Sequence, residues 1–120
     1  NGVASSHIIR INFEFPDYFE LDGYLKVYNF IKEKLQPEGM NYIILDEVQT
    51  VPEFQKTVNG LFLLKNCDVY ITGSNAFLLS GELATLLSGR YIEIKMQPLS
   101  FSEYISFFCG FAMKKNDVFI

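Results

Sequence analysis

Histidine and cysteine are scarce in this chain, which has one histidine and two cysteines among its 120 residues. His7, Cys67 and Cys109 are far apart in the sequence, and the cysteines do not form a CxxC pair. Familiar zinc sites are built from closely spaced sulfur and nitrogen ligands, and the sequence therefore excludes them. We expect both cysteines to be buried thiols of a reduced compartment.

Long apolar runs and clusters of positive charge are also missing. No uncharged apolar stretch reaches the roughly 18 residues that a membrane-spanning helix needs. The start of the chain does not have the basic and then apolar pattern of a signal peptide. The net charge of −4 and the pI near 4.9 disfavour a broad nucleic-acid-binding face. We therefore expect a cytoplasmic protein without a membrane span.

Apolar residues make up 49% of the chain, which is enough for one packed domain over residues 1–120. Strand-like and helix-like patterns alternate along the sequence. Such alternation predicts an α/β fold, in which a parallel sheet has helices on both faces as a three-layer α/β/α arrangement. The predicted strands cover 7–14, 41–49, 68–72 and 91–96, and the predicted helices cover 22–35, 52–65, 76–87 and 101–108.

The segment 41–49, NYIILDEVQ, is the most informative part of the sequence. Its continuous apolar run predicts an interior strand that ends at Asp46 and Glu47. Open α/β sheets bind ligands at the carboxyl ends of their strands. Two acids at this position suit a Walker B motif, in which the first holds Mg²⁺ and the second activates the attacking water. The same pair is also consistent with a turn cap followed by a solvated surface acid.

Polar residues follow the next predicted strand in the sequence TGSN. Thr72, Ser74 and Asn75 are then expected at the same edge of the sheet as the two acids, where a polar side chain could orient the attacking water. Taken alone, these residues are explained more simply by ordinary capping of the next helix.

Arg90 lies between a predicted helix and the predicted strand 91–96. A guanidinium group suits the charge of a phosphoryl group in transfer. A surface arginine near a helix C-terminus is the simpler alternative.

The sequences YIILDEVQ, ITGSNA and LLSGRYIEIKMQPLSFSEY together resemble the prokaryotic AAA-type ATPases that carry a C-terminal domain of unknown function. The resemblance implies that Asp46 is the Mg²⁺ ligand and Glu47 the catalytic base. It also implies that Asn75, with Ser74 nearby, senses the γ-phosphate, and that Arg90 is an arginine finger or a sensor. ATP and Mg²⁺ would be the cofactors of the full-length parent. A protein or a nucleic acid would be its client, and the motifs do not distinguish them.

The chain differs from this family in one important respect, because none of its eight glycines is followed by Lys-Ser or Lys-Thr. In the family, the phosphate-binding loop GxxxxGK[ST] precedes the part that this chain resembles. We therefore interpret the chain as a fragment of the ATPase core without the first strand and the P-loop. Such a fragment should be inactive and bind no cofactor by itself. The exposed strand edges and apolar surface should favour self-association into a homo-oligomer.

The resemblance also predicts the strand order. The strand 41–49 should lie between the strands 7–14 and 68–72, all parallel. The strand 91–96 should be displaced, paired with a neighbouring molecule or joined directly to 68–72. Two other functional classes are compatible with the sequence. One is a phospho-receiver domain that uses Asp46, Thr72 and Lys95, and the other is a protein-interaction module whose acids are only surface residues.

Overall fold

The computed structural model describes residues 2–73, 90–94 and 96–116, with backbone alone for 109–116. Three short 3₁₀ turns at Ser5–His7, Pro16–Tyr18 and Val48–Thr50 accompany the regular elements. In chain order, those regular elements are β1 (Ile8–Asn12), α1 (Tyr24–Lys34), β2 (Asn41–Asp46), α2 (Phe54–Phe62), β3 (Cys67–Ile71) and α3 (Phe101–Asn116).

The strands form a parallel sheet in the order β1-β2-β3. Ile43 on β2 is level with Ile9 on β1 and with Val69 on β3. The predicted central position of the acid-bearing strand is therefore confirmed. The α/β class is confirmed as well, because helices connect the successive parallel strands, as is usual for a crossover between parallel strands.

One face of the sheet carries the hydrophobic core. Side chains alternate along each strand, and the inward positions of β1 and β2 pack against apolar positions of α1 and α2 spaced three or four residues apart. Burying each such side chain contributes about 2 kcal/mol. The buried apolar residues are Ile9, Ile11, Phe13, Val27, Ile31, Ile43, Leu45, Val48, Val51, Phe54, Val58 and Leu61.

The opposite face of the sheet is more open. Ile8 and Tyr70 are 43% and 51% exposed there, and Tyr42 and Ile44 are only half-buried. Because α1 and α2 both pack on the first face, the second layer of helices predicted for this face is not seen in the described part of the chain. The predicted helix 76–87 lies outside the described residues.

The prediction of a strand at 91–96 is wrong for the residues of this segment that the structure describes. Residues 91–94 and 96 do not belong to any strand, and Ile92, Ile94 and Met96 are 91%, 79% and 86% exposed. The alternation of apolar residues predicted a strand, but a strand also needs a neighbour for its backbone N–H and C=O groups. Alternation in the sequence does not supply that neighbour.

The last helix begins as its sequence predicts, with a capping box at Ser100 and Glu103. Glu103 Oε2 accepts hydrogen bonds from the Ser100 amide at 2.8 Å and the Ser100 hydroxyl at 2.6 Å. The amide of Glu103 donates in turn to Ser100 Oγ at 3.3 Å. These bonds satisfy backbone donors that every helix start leaves without a partner, and they hold the pKa of Glu103 below its ordinary value.

Two other predictions from composition concern cysteine and the membrane. Cys67 is a free, half-buried thiol whose pKa is raised by its burial, and the side chain of Cys109 lies outside the described part. Among the residues that the structure describes, no helix combines the length and the apolar character that crossing a membrane requires.

Candidate functional site

The carboxyl ends of the three strands are held together by backbone hydrogen bonds that continue beyond the strands. Phe13 N donates to Asp46 O at 3.1 Å, and Thr72 N donates to Leu45 O at 2.9 Å. Val48 N then donates to Thr72 O at 3.2 Å. The residues that follow each strand are therefore fixed relative to one another, as a site built from several strand ends requires.

Asp46 lies at the centre of this edge. Its Oδ2 accepts a hydrogen bond from Asn12 Nδ2 at 3.1 Å, and its Oδ1 accepts one from the Thr72 hydroxyl. The side-chain oxygen of Asn12 accepts a bond from Glu14 N at 2.9 Å, which turns the amide nitrogen toward Asp46. Each oxygen of the half-buried Asp46 carboxylate is thus oriented by a different neighbouring strand.

Glu47 has an unusual backbone conformation, with φ of 60° and ψ of 45° in the left-handed region. For a residue other than glycine this conformation costs about 1 kcal/mol. The carbonyl of Glu47 accepts bonds from Thr50 N at 3.3 Å and Thr50 Oγ1 at 3.0 Å, and its amide donates to Thr72 Oγ1 at 3.4 Å. Gln49 Nε2 donates to Glu47 Oε2. The tight turn at Val48–Thr50 therefore closes on the Glu47 carbonyl and also supplies a donor to its carboxylate.

Thr72 connects the two acids, because its hydroxyl donates to Asp46 and accepts from the amide of Glu47. Register explains this position: Leu45 pairs with Ile71, which makes Thr72 level with Asp46. On the other side, Asn12 pairs directly with Asp46. A row of three polar side chains thus crosses the strand ends.

Asn12 and Thr72 hold the carboxylate of Asp46, a role that the sequence does not predict for them. The sequence predicts Thr72 as a polar residue at this edge, whereas the family resemblance gives the sensor role to Asn75, with Ser74 nearby. The signal that could have identified them is a polar residue at the matching end position of each parallel strand. Gln49 was also missed, since nothing in its sequence position distinguishes it from an ordinary turn residue.

The other predicted site residues are not brought to the acids in the described part of the chain. Ser74 and Asn75 lie outside the described residues. The guanidinium carbon of Arg90, an exposed residue, lies 5.5 Å from the centre of the Phe62 ring. Phe62 ends α2, from which the chain returns to the start of β3, so this contact is near the amino ends of the strands. The catalytic role of Arg90 stays a prediction.

The oxygen atoms at Asp46 suit a magnesium ion better than a transition metal. Among the residues that the structure describes, no group of three or more His, Cys, Asp or Glu side chains is close enough to hold a metal ion. Mg²⁺ does not need such a cage, because it commonly binds one or two carboxylates and completes its shell with water and substrate phosphates. Both Asp46 oxygens keep acceptor capacity beyond the single bond that each accepts from Asn12 or Thr72.

A cavity of about 470 Å³ lies beside this edge, between Phe13 and the segment 50–52. Its charged lining residues are Glu14 and Asp22, and both are acids. Lys26 forms an ion pair with Asp22 at 2.7 Å and holds the pKa of that carboxyl below its ordinary value. An acidic lining would repel phosphates. None of the residues that line this cavity carries a positive charge that would attract a phosphate.

The parallel sheet, with polar side chains gathered at its carboxyl edge, defines the class of α/β proteins that bind ligands at this edge. A family model described as AAA domain matches residues 2–105, a range that contains every predicted site residue. The chain belongs to this AAA domain family, and its core is ATPase-like.

Two relatives are similar to this chain, at different levels of sequence identity. An uncharacterized protein of Haemophilus influenzae is 49% identical over 105 residues, which are 87% of this chain and 26% of that protein. An uncharacterized protein of Methanocaldococcus jannaschii is 32% identical over 116 residues, which are 97% of this chain and 26% of that protein. The chain therefore spans about a quarter of the length of these relatives.

Proposed function

We propose that this chain is the part of an AAA-type ATPase that carries the magnesium ligand and the catalytic base. The observation that supports this proposal is the position of Asp46 and Glu47 at the carboxyl end of the central strand, with Asn12 and Thr72 on either side. Membership of the AAA domain family favours this function over a phospho-receiver domain.

Each residue of the proposed site has a distinct role. Asp46 holds Mg²⁺, directly or through water, while Asn12 and Thr72 fix the orientation of its carboxylate. The metal, when bound, supplies neutralisation of the phosphate charge. Glu47 accepts a proton from the attacking water.

Two further roles in this proposal rest on the sequence resemblance. Asn75, with Ser74 beside it, senses the γ-phosphate. Arg90 acts on a phosphate in a neighbouring subunit rather than in its own, which is compatible with its position at Phe62.

The phosphate cradle is not encoded in this chain, since no GxxxxGK[ST] sequence is present in its 120 residues. In this proposal another segment of a longer protein supplies it, and the greater length of the two relatives is compatible with that. The isolated chain is then inactive and binds neither ATP nor Mg²⁺ tightly, because backbone amides and a lysine usually hold the phosphates.

The test is Glu47→Gln in the full-length protein. We expect ATP turnover to fall about 100-fold or more because the carboxamide cannot accept the proton. ATP affinity should be retained, which an equilibrium binding measurement would establish. Glu53→Gln is the matched control, because Glu53 is also a glutamate in the left-handed conformation just before a helix. Normal turnover in the Glu47→Gln protein would show that Glu47 is not the catalytic base.

The magnesium role of Asp46 has a separate test. In an Asp46→Asn protein the side-chain oxygen can still accept the bond from Thr72, while the negative charge that attracts the cation is lost. We expect the Mg²⁺ concentration that gives half-maximal turnover to rise at least about tenfold, as loss of a charged ligand implies. An unchanged Mg²⁺ requirement would remove Asp46 from the metal site.

Self-association is also part of the proposal. Phe101, Phe107 and Ile92 are 80%, 66% and 91% exposed, and large apolar side chains exposed in such number are typical of contacts between proteins. Sedimentation velocity over a range of concentrations should show assembly of the full-length protein. A species that stays monomeric at all concentrations would contradict it. Such a result would also exclude a role for Arg90 in a neighbouring subunit.

A further inference from the structure

We propose that Gln49 is a positioning residue that sets the orientation of the Glu47 carboxylate for catalysis. This inference rests on the proposed function, since it assigns a task to Gln49 only if Glu47 is the base. The observation behind it is the hydrogen bond from Gln49 Nε2 to Glu47 Oε2 across one turn of chain.

The backbone between the two residues is closed on itself, which makes this side-chain contact well defined. Thr50 N and Thr50 Oγ1 both donate to the carbonyl of Glu47, and Val51 N donates to Val48 O at 3.1 Å. The amide of Glu47 is held at the same time by Thr72. Both ends of the Glu47 backbone are thus fixed, and the rotation of its side chain is the freedom that Gln49 restricts.

The left-handed conformation of Glu47 makes such a restraint necessary. A residue at a strand end normally points its side chain perpendicular to the sheet, in alternation with its neighbours. At φ of 60° Glu47 leaves that alternation, so the strand no longer determines the direction of its carboxylate. A donor supplied by the turn itself replaces that lost constraint.

The chemical nature of the donor fits a base that must stay reactive. The amide of glutamine is neutral, so it orients the carboxylate without pairing with its charge. It engages Oε2, and the carboxylate has a second oxygen to direct at the water. A lysine at this position would instead form an ion pair with the base and weaken its hold on a proton.

The experiment is a double-mutant cycle in the full-length protein with wild type, Gln49→Met, Glu47→Gln and the double variant. Methionine keeps the length of glutamine and removes the donor. We expect Gln49→Met to lower kcat about 10- to 100-fold, because a misplaced catalytic group costs that much. KM and ATP affinity should stay unchanged. In the Glu47→Gln background, the second substitution should lower kcat no further, because Gln49 acts through Glu47.

Two additional variants separate positioning from stability. Gln49→Ala serves if methionine disturbs the turn, and it should give the same loss of kcat. Gln49→Glu keeps the shape but puts two carboxylates together, and it should lower kcat at least as much. The thermal unfolding midpoints of the Gln49 variants should stay close to that of wild type. A purely structural role of Gln49 would lower the midpoint and kcat together.

The possible failures are distinguishable. Normal kcat in both Gln49→Met and Gln49→Ala, with Glu47→Gln inactive, would overturn the role of Gln49 and leave the proposed function intact. Losses that multiply in the double variant would also overturn it, because Gln49 would then act independently of Glu47. Normal turnover in Glu47→Gln alone would overturn the proposed function and this inference with it.

Discussion

Residues 2–73 and the described residues of the segment 90–108, which are all but 95, have similar apolar sequences but very different environments. In the first region, Ile43, Leu45 and Leu61 are at most 2% exposed, and the core joins both helices to the sheet. In the second, Ile92 and Phe101 are 91% and 80% exposed. Apolar character therefore predicts which residues can be buried, while burial itself requires a partner surface.

The two alternating segments show this most directly. Ile9 and Ile11 on β1 are 6% and 0% exposed, while Ile92 and Ile94 are 91% and 79% exposed. Both pairs are isoleucines spaced by two residues, as expected for a strand. The difference is that β1 pairs with β2 along its whole length, and no strand pairing includes residues 91–94 in the described part. Whether an alternating apolar segment forms a strand therefore depends on the strands that can pair with it as well as on its own residues.

The largest expected effect is on the free energy of unfolding, and it appears when one isoleucine from each region is replaced by alanine. Ile43→Ala should lower the free energy of unfolding by about 2–5 kcal/mol, because it leaves a cavity in the packed core. Ile92→Ala should change it by less than about 0.5 kcal/mol, as is usual at an exposed position. Urea unfolding followed by circular dichroism measures both. Equal losses for the two variants would show that 90–108 is packed in solution.

The next effect concerns Asn41, a fully buried polar residue of β2. Its side chain accepts a bond from Gln36 N at 2.9 Å and donates to Gln36 O at 3.0 Å and to Asn66 O at 3.3 Å. Asn41→Ala should cost about 1–3 kcal/mol in unfolding free energy, because these backbone groups lose their partner. The exposed Glu38 gives the control, Glu38→Ala, which should have no effect. A neutral Asn41→Ala would mean that water reaches these groups.

A smaller effect is expected for Thr72, which is exposed and therefore accessible to water. Thr72→Val removes the donor to Asp46 and the acceptor for the Glu47 amide, and should cost about 1 kcal/mol in unfolding free energy. Thr72→Ser keeps the hydroxyl and should retain most of the stability. Denaturant titrations of both proteins test this. If valine and serine behave alike, the hydroxyl does not hold the site together.

Much of the fold could be predicted from the sequence because it depends on patterns within single segments. The run before Asp46 predicted a central strand, and the spacing of apolar residues in 22–35 predicted α1. The strand order followed from the family resemblance, and it is confirmed. The prediction of a strand at 91–96 was wrong because it used only the alternation of apolar residues within that segment. A strand also needs a neighbouring strand to pair with, and the sequence of the segment does not show whether one is present.

The candidate site could be predicted only in part for a related reason. Asp46 and Glu47 are adjacent in the sequence, and their location at a strand end follows from the apolar run that precedes them. Asn12 and Thr72 contact Asp46 from 34 and 26 residues away, which only the register of the sheet determines. The left-handed conformation of Glu47 was also unpredictable, because glutamate carries no preference for it.

The smallest expected effect concerns the capping box at the start of α3, which forms without a partner surface. The bonds of the α3 capping box join Ser100 to Glu103, and the Ser102 hydroxyl lies 3.2 Å from Ser100 Oγ, so its geometry depends on residues of the same turn. The hydroxyl and the amide of Ser100 donate hydrogen bonds to the Glu103 carboxylate and lower its pKa from the ordinary value of 4.5. A group with a lowered folded pKa stabilises the folded state above its unfolded pKa, and that contribution is lost as the pH falls through the folded pKa.

The first turn of α3 should therefore fray below pH 4.5 while the rest of the helix persists. Carbon chemical shifts of residues 100–104, recorded by NMR along an acid titration, measure this fraying directly. Glu103→Gln is the control, because glutamine can still complete the capping box but does not titrate. Its shifts should stay constant over the same pH range. Constant shifts in wild type as well would mean that contacts beyond the capping box hold this turn, and that the exposed region is packed after all.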